Sequence, residues 1–193
     1  MHLKNMLFAA MMAAITAVMG LFPGIPLPSG VPIIVQNMGV MLAGSLLGKR
    51  YGGLAILLFV LLVATGLPLL SGGRGGLAVL AGPTGGYFIS WPIMAFVIGW
   101  LAEKGNLSFY RLFTANVIGC LFNYGCGTAW LAAVAELPFL QALAADVLPF
   151  IPGDFIKITA ATFLALAIQR AAPNLFGKHS NRPPETSTNG HSH

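Results

Sequence analysis

Apolar runs about as long as a lipid bilayer is thick recur along almost the whole of this chain, and nothing else in the sequence constrains the fold so tightly. Of its 193 residues, 56% are hydrophobic and 8% charged, whereas a soluble domain carries roughly a quarter charged residues. At roughly 20 apolar residues per crossing, the length allows about six spans with short connections. The expected fold class is all-α: a polytopic integral membrane protein, six transmembrane helices in a single compact bundle. No room remains for a soluble catalytic domain, so the chain is not expected to be an enzyme.

The six spans fall at about Lys4 to Leu21, Ile33 to Leu47, Leu54 to Gly66, Gly82 to Ala102, Phe109 to Ala135 and Ile151 to Ala171. The proline- and glycine-bearing loop FPGIPLPSGVP excludes continuous helix after the first. Spans two and three are shorter than a full crossing, which predicts tilt, mutual burial or flanking re-entrant loop. Residues 1–172 form the membrane domain with an outward-facing ligand pocket, and the polar stretch 173–193 reads as a disordered tail.

Lys and Arg collect in short cytoplasmic loops. With the N-terminus inside, one side holds Lys4, Lys49, Arg50, Lys104, Arg111, Arg170, Lys178 and Arg182, and the opposite loops hold only Arg74. The expected location is the bacterial cytoplasmic membrane, multi-pass, with both termini in the cytoplasm. The net charge of +5 follows from this topology and from contact with anionic membrane lipid, so no nucleic-acid partner is expected. Cys120 and Cys126 sit six apart in one span and are read as apolar packing rather than a disulfide. His2, His179, His191 and His193 all lie in the tails, so no metal site and no cofactor are expected.

Alternating the spans brings the unusual polar residues to one outward-facing end: Gln36 and Asn37, the SGGRGG loop, GPTGGY with Thr84, Gly85 and Tyr87, then Asn123, Tyr124 and Trp130, and finally Asp154 and Lys157. Polar groups at membrane depth are costly and functional by default. Asp154 and Lys157 share a helix face and could simply pair with each other. Alternatively, with Pro152 and Gly153 marking a helix start at the outer boundary, they aim an acceptor pair and a cationic donor into the bundle. The three glycines of GPTGG serve either close helix packing or close approach to a ligand.

The strings VQNMGVMLAGSLLGKRYGG, SGGRGGLAVLAGPTGGYF and LPFIPGDFIK together resemble the BioY family, the biotin-specific S components of energy-coupling-factor (ECF) transporters, over roughly residues 4 to 171. The resemblance implies a six-helix membrane protein that captures biotin from outside and works with a transmembrane T component and two ATP-hydrolysing subunits. Arg74 departs from the small residue more usual at its place. The residues suit such a ligand. Biotin's ureido ring offers two N–H donors and a carbonyl, its thiolane and valeryl chain are apolar, and its carboxylate is anionic. Asp154 can accept from ureido N–H, and Lys157 can donate to the ureido carbonyl or pair with the carboxylate. Tyr87, Trp91, Tyr124 and Phe155 are candidate walls, with Gln36, Asn37 and Asn123 as further polar contacts.

The uncharged loop from Phe22 to Pro32 is either a lid over the pocket or a passive connector. Ala9, Ala13 and Ala17 form a small-residue stripe that the resemblance implies docks onto the T component; from spacing alone it could equally pack inside the bundle. GSLLGKR, residues 44–50, has the wrong spacing for a phosphate loop, so energy must come from the partner subunits. An S component for another small vitamin is the nearest alternative. A channel or an intramembrane aspartyl protease stands further off, the latter because Asp146 is expected in an outer loop, away from Asp154.

Overall fold

The computed structural model describes residues 2–28, 31–104 and 106–176. Its helices are α1 (His2–Met19), α2 (Asn37–Ala64), α3 (Leu77–Ala81), α4 (Gly85–Ala102), α5 (Phe109–Val134), α6 (Phe139–Ala171) and α7 (Pro173–Phe176). By length and composition α2, α4, α5 and α6 can each cross a membrane, while the apolar part of α1, Leu3–Met19, is shorter. Large apolar side chains cover the outside, among them Leu7, Leu61, Ile93, Leu121 and Phe163. In water so wide an apolar surface would drive association, whereas in lipid it is solvated.

Helix α2 is not one rod. Gly48 sits at φ 72°, ψ −175°, a conformation reserved for glycine, and there the chain doubles back. A straight helix of this length would hold its ends about 42 Å apart. Instead Gln36, just before α2, donates from Nε2 to the carbonyl of Leu69, just after it, at 2.8 Å. Gly52 lies so close to the opposing arm that a Cβ there would stand 2.7 Å from the Ala43 carbonyl oxygen. The two arms, 37–47 and 49–64, are the two short spans expected from the sequence. Their shortness reflects mutual burial, and they bring the bundle to six helical segments.

Both arms pack on α4, which in turn packs on α5. Val40, Met41, Phe59, Met94 and Ile98 fill the shared interior. Polar side chains cross this interior in satisfied pairs: Ser45 Oγ donates to Asn116 Oδ1, and Asn116 Nδ2 to Thr162 Oγ1 at 3.2 Å, linking α2, α5 and α6. At the end where the helices turn at Gly48, Lys49 pairs with Glu103, and Arg111 donates from Nε to the Leu101 carbonyl. Ser108 caps α5 by accepting from the Arg111 amide. Arg74 lies at the opposite end, where Leu70 and Arg74 bridge and Ser71 donates to the Phe22 carbonyl.

Three expectations need correction. Helix α6 begins at Phe139, not near Ile151, so Pro152 and Gly153 lie inside it. A helix tolerates Pro149 and Pro152 here at the loss of two backbone donors. The expected stripe Ala9, Ala13 and Ala17 faces inward: Ala9 and Ala13 belong to the buried core and Ala17 packs against it. These small residues let α1 approach α2, where Gly39 meets Thr16, and present no surface for a partner. On the outer face of α1 the small residues are Ala10 and Ala14, both exposed. The tail expected to be disordered from residue 173 opens with the helical turn α7, and beyond Phe176 it lies outside the described residues.

The Gly48 turn makes a direct prediction. A Cβ there would both strain the backbone and meet the Glu103 carboxylate, so Gly48→Ala should lose about 1–3 kcal/mol of stability, read as a lower melting temperature in detergent. Gly125→Ala, in α5 with open space around the site, should leave melting unchanged or raise it slightly.

Candidate functional site

A cleft with about 430 Å³ of atom-free space, part of it open to solvent, lies among the loop before α2, α4, α5 and α6. Its polar centre is Asp154 on α6, which is 4% exposed. Asp154 Oδ1 accepts from Lys157 Nζ at 2.7 Å and from Asn37 Nδ2 at 3.3 Å. Oδ2 accepts from the Tyr124 hydroxyl at 2.5 Å. Three elements therefore supply donors to one carboxylate: the first arm of α2, α5 and α6 itself. In a bundle without water such a carboxylate is tolerable only when paired and bonded this completely.

Around this centre stand aromatic walls. The Phe150 ring lies edge-on to Tyr87, with centroids 6.3 Å apart, and parallel to Tyr124 at 6.4 Å. Trp91 stacks on Phe59 and meets Phe88 edge-on, which holds its indole between α2 and α4 at the floor of the cleft. Asn123 bonds the Ser90 hydroxyl at 2.7 Å through one end of its amide, leaving the other end without a protein bond among the described residues. Asn37 Oδ1 is buried and has no hydrogen-bond partner among the described residues. The cleft thus presents one paired carboxylate, one cation, the Asn37 carbonyl and one end of the Asn123 amide, which a ligand can satisfy.

Eight expected site residues line this cleft: Asn37, Thr84, Tyr87, Trp91, Asn123, Tyr124, Asp154 and Lys157. Three do not. Gln36 points away, donating to the Thr16 and Leu69 carbonyls at 2.9 and 2.8 Å, and so ties α1 to the far end of α2. Gly85 is absent from the lining and packs on Trp130, whose Nε1 donates to the Gly82 carbonyl at 2.9 Å. The glycines at 85 and 86 thus serve close helix packing. Phe155 is 61% exposed on the outer face of α6.

The loop from Phe22 folds into a small hairpin, with Ile25 and Ile33 exchanging both backbone hydrogen bonds. It carries Val31, Pro32 and Ile34 to the rim of the cleft. Val31 is seated in an apolar cluster with Tyr87, Leu131, Ala142 and Phe150. These rim residues, with Phe88 and Phe150, were not singled out from sequence, where they are indistinguishable from lipid-facing residues. Asp146 was set aside as a loop residue, but it is fully buried in α6 and accepts a hydrogen bond from the Tyr87 hydroxyl. The spacing 146, 150, 154 was a legible helical signal, obscured by the two prolines between.

Known proteins resemble this chain along most of its length. The model of the BioY family matches residues 1–174. A protein named biotin transporter BioY from Rhizobium etli is 42% identical over 184 residues, covering 91% of this chain and 98% of that one. Its namesake from Lactococcus lactis is 40% identical, covering 80% of this chain and 84% of the relative. Among solved structures, the S-component for biotin from an ECF-type ABC transporter superposes with a TM-score of 0.82 at 36% identity, covering 88% of this chain and 92% of that one. A match that runs through all six helical segments, at identities of this order, fixes the assignment: the chain belongs to the BioY family.

Proposed function

We propose that this protein is the S component of an ECF-type biotin transporter and captures biotin in the cleft around Asp154. The buried Asp154–Lys157 pair, facing an aromatic cleft in a chain otherwise poor in charge, is the observation that carries this reading. Biotin's ureido N–H groups suit the vacant Asn37 Oδ1 and the Asp154 carboxylate. Its carbonyl suits the amide of Asn123. Its thiolane and methylenes suit Tyr87, Phe88, Trp91 and Phe150. Lys157 then either stays on the ring side with Asp154 or turns to the valerate carboxylate. The surroundings of these contacts are mostly apolar, so each charge-assisted bond counts for more than it would at a surface.

In this reading the cleft opens to the outside and the end bearing Lys49, Arg50, Lys104, Arg111 and Arg170 faces the cytoplasm, together with both termini, in the cell membrane. The hairpin carrying Val31 is the lid, since it brings apolar side chains and no charge to the mouth. As an S component the protein works with a transmembrane T component and two ATP-hydrolysing subunits, which supply the energy. The exposed pair Ala10 and Ala14 on α1 suits close contact with a T-component helix.

Labelled biotin should bind the purified protein saturably and far below millimolar, whereas binding no tighter than millimolar would remove the assignment. Asp154→Ala should weaken it about a hundred-fold or more while the protein remains folded in detergent. Loss of the fold itself would instead mark the pair as structural. Biotin methyl ester, which keeps the ring and lacks the charge, separates the two partners of Lys157: undiminished binding puts the ammonium on the ring. Replacing Ala10 and Ala14 by Leu should spare biotin binding and reduce co-purification with a T component, and unchanged co-purification would discard this face.

A further inference from the structure

Asp146 has no part in the ligand contacts above, yet its position is unusual. It is 0% exposed, and no cation pairs with it among the described residues. One oxygen, Oδ2, accepts from the Tyr87 hydroxyl, and the other has no partner. A carboxyl group withdrawn from both water and cations is costly, and in a membrane bundle such a residue calls for a use.

Among the described residues, the one side chain bonded to it is a wall of the cleft. Tyr87 is clasped on its remaining sides: Phe150 meets its ring edge-on, and Gly127 lies so close beneath the ring that a side chain there would collide with it. Asp146, Phe150 and Asp154 stand at i, i+4 and i+8, on one face of α6. Asp154 holds the hydroxyl of Tyr124, Asp146 that of Tyr87, and Phe150 lies between the two rings. One helix face therefore anchors both tyrosine walls, each by a carboxylate.

We propose that Asp146 is a positioning residue for ligand capture: by holding the Tyr87 hydroxyl it fixes where that ring stands against Phe150, and so sets the width of the cleft presented to the bicyclic ring of the ligand. This rests on the biotin reading above. Without the anchor, the Tyr87 hydroxyl loses its carboxylate acceptor, and the ring relaxes toward the other acceptors it can reach, the buried Thr128 hydroxyl and the ligand space included.

A double-mutant cycle on the full chain in detergent tests this, read both as biotin affinity and as melting temperature. Asp146→Leu should weaken biotin binding about ten-fold or more, and Tyr87→Phe by a similar factor. Combining the two should cost no more than the worse single change. Asp146→Asn, which keeps an acceptor oxygen for the phenol, should stay within about three-fold of the parent. Multiplying effects in the double variant, an Asn variant as weak as the Leu variant, or an Asp146→Leu protein that binds like the parent would each overturn the proposal. If Asp146→Leu does not fold, Tyr87→Phe still decides it, since parental affinity in that variant contradicts the role. Failure of the parent protein to bind biotin sinks the functional reading on its own account. Additive melting-temperature changes sink the link between Asp146 and Tyr87 whatever the ligand.

Discussion

A carboxylate cannot remain inside an apolar bundle unless the surrounding chain supplies its donors, and the cleft end of this protein is arranged around that requirement. Asp154 gathers Lys157, Asn37 and Tyr124, which draws the first arm of α2, α5 and α6 to one point. The aromatic walls follow, because Tyr124 is both a donor to Asp154 and a neighbour of Phe150. What pairs the charge thus also shapes the cleft, and a ligand that enters meets groups already held in place rather than groups it must order.

The rest of the bundle depends on backbone proximity. Gly48 reverses α2, Gly44 and Gly52 let its arms and α4 touch, and Gly39 seats α1. Hydrophobic burial offers little drive between helices in lipid, so close van der Waals contact and interhelical hydrogen bonds have to hold the bundle. The Ser45–Asn116–Thr162 chain and the Gln36 clamp are those bonds. Gln36 shows how the two parts join: a side chain one residue from the site serves the fold, while Asn37 beside it serves the cleft.

The reach of sequence reasoning is visible in individual residues. Charge scarcity and the distribution of bases led to six helical segments and to one end rich in unusual polar groups, and eight of the expected residues do meet there. Gln36, Gly85 and Phe155 went astray for a common reason: adjacency in sequence says little about which side of a helix a residue faces when nearly every position is apolar. Of the two readings of the alanine stripe on α1, the interior one holds, since Ala9 and Ala10 are chemically alike and only the packed neighbour distinguishes buried from exposed. Asp146 was lost because two prolines read as a break, although a helix supported by tertiary contacts can carry them.

The sequence by itself determined that this chain is a membrane helical bundle, how many segments it has, and that its unusual polar residues gather toward one end, because hydropathy, Pro and Gly placement and the cost of buried charge are local or additive properties. Only the tertiary structure decided which of those residues converge, that Asp146 stands behind Tyr87, and that the alanine stripe is interior. Those outcomes depend on helix rotation and on the path of α2 through Gly48, and rotation about an axis is fixed by what a helix packs against, which a uniformly apolar sequence does not encode in its pattern.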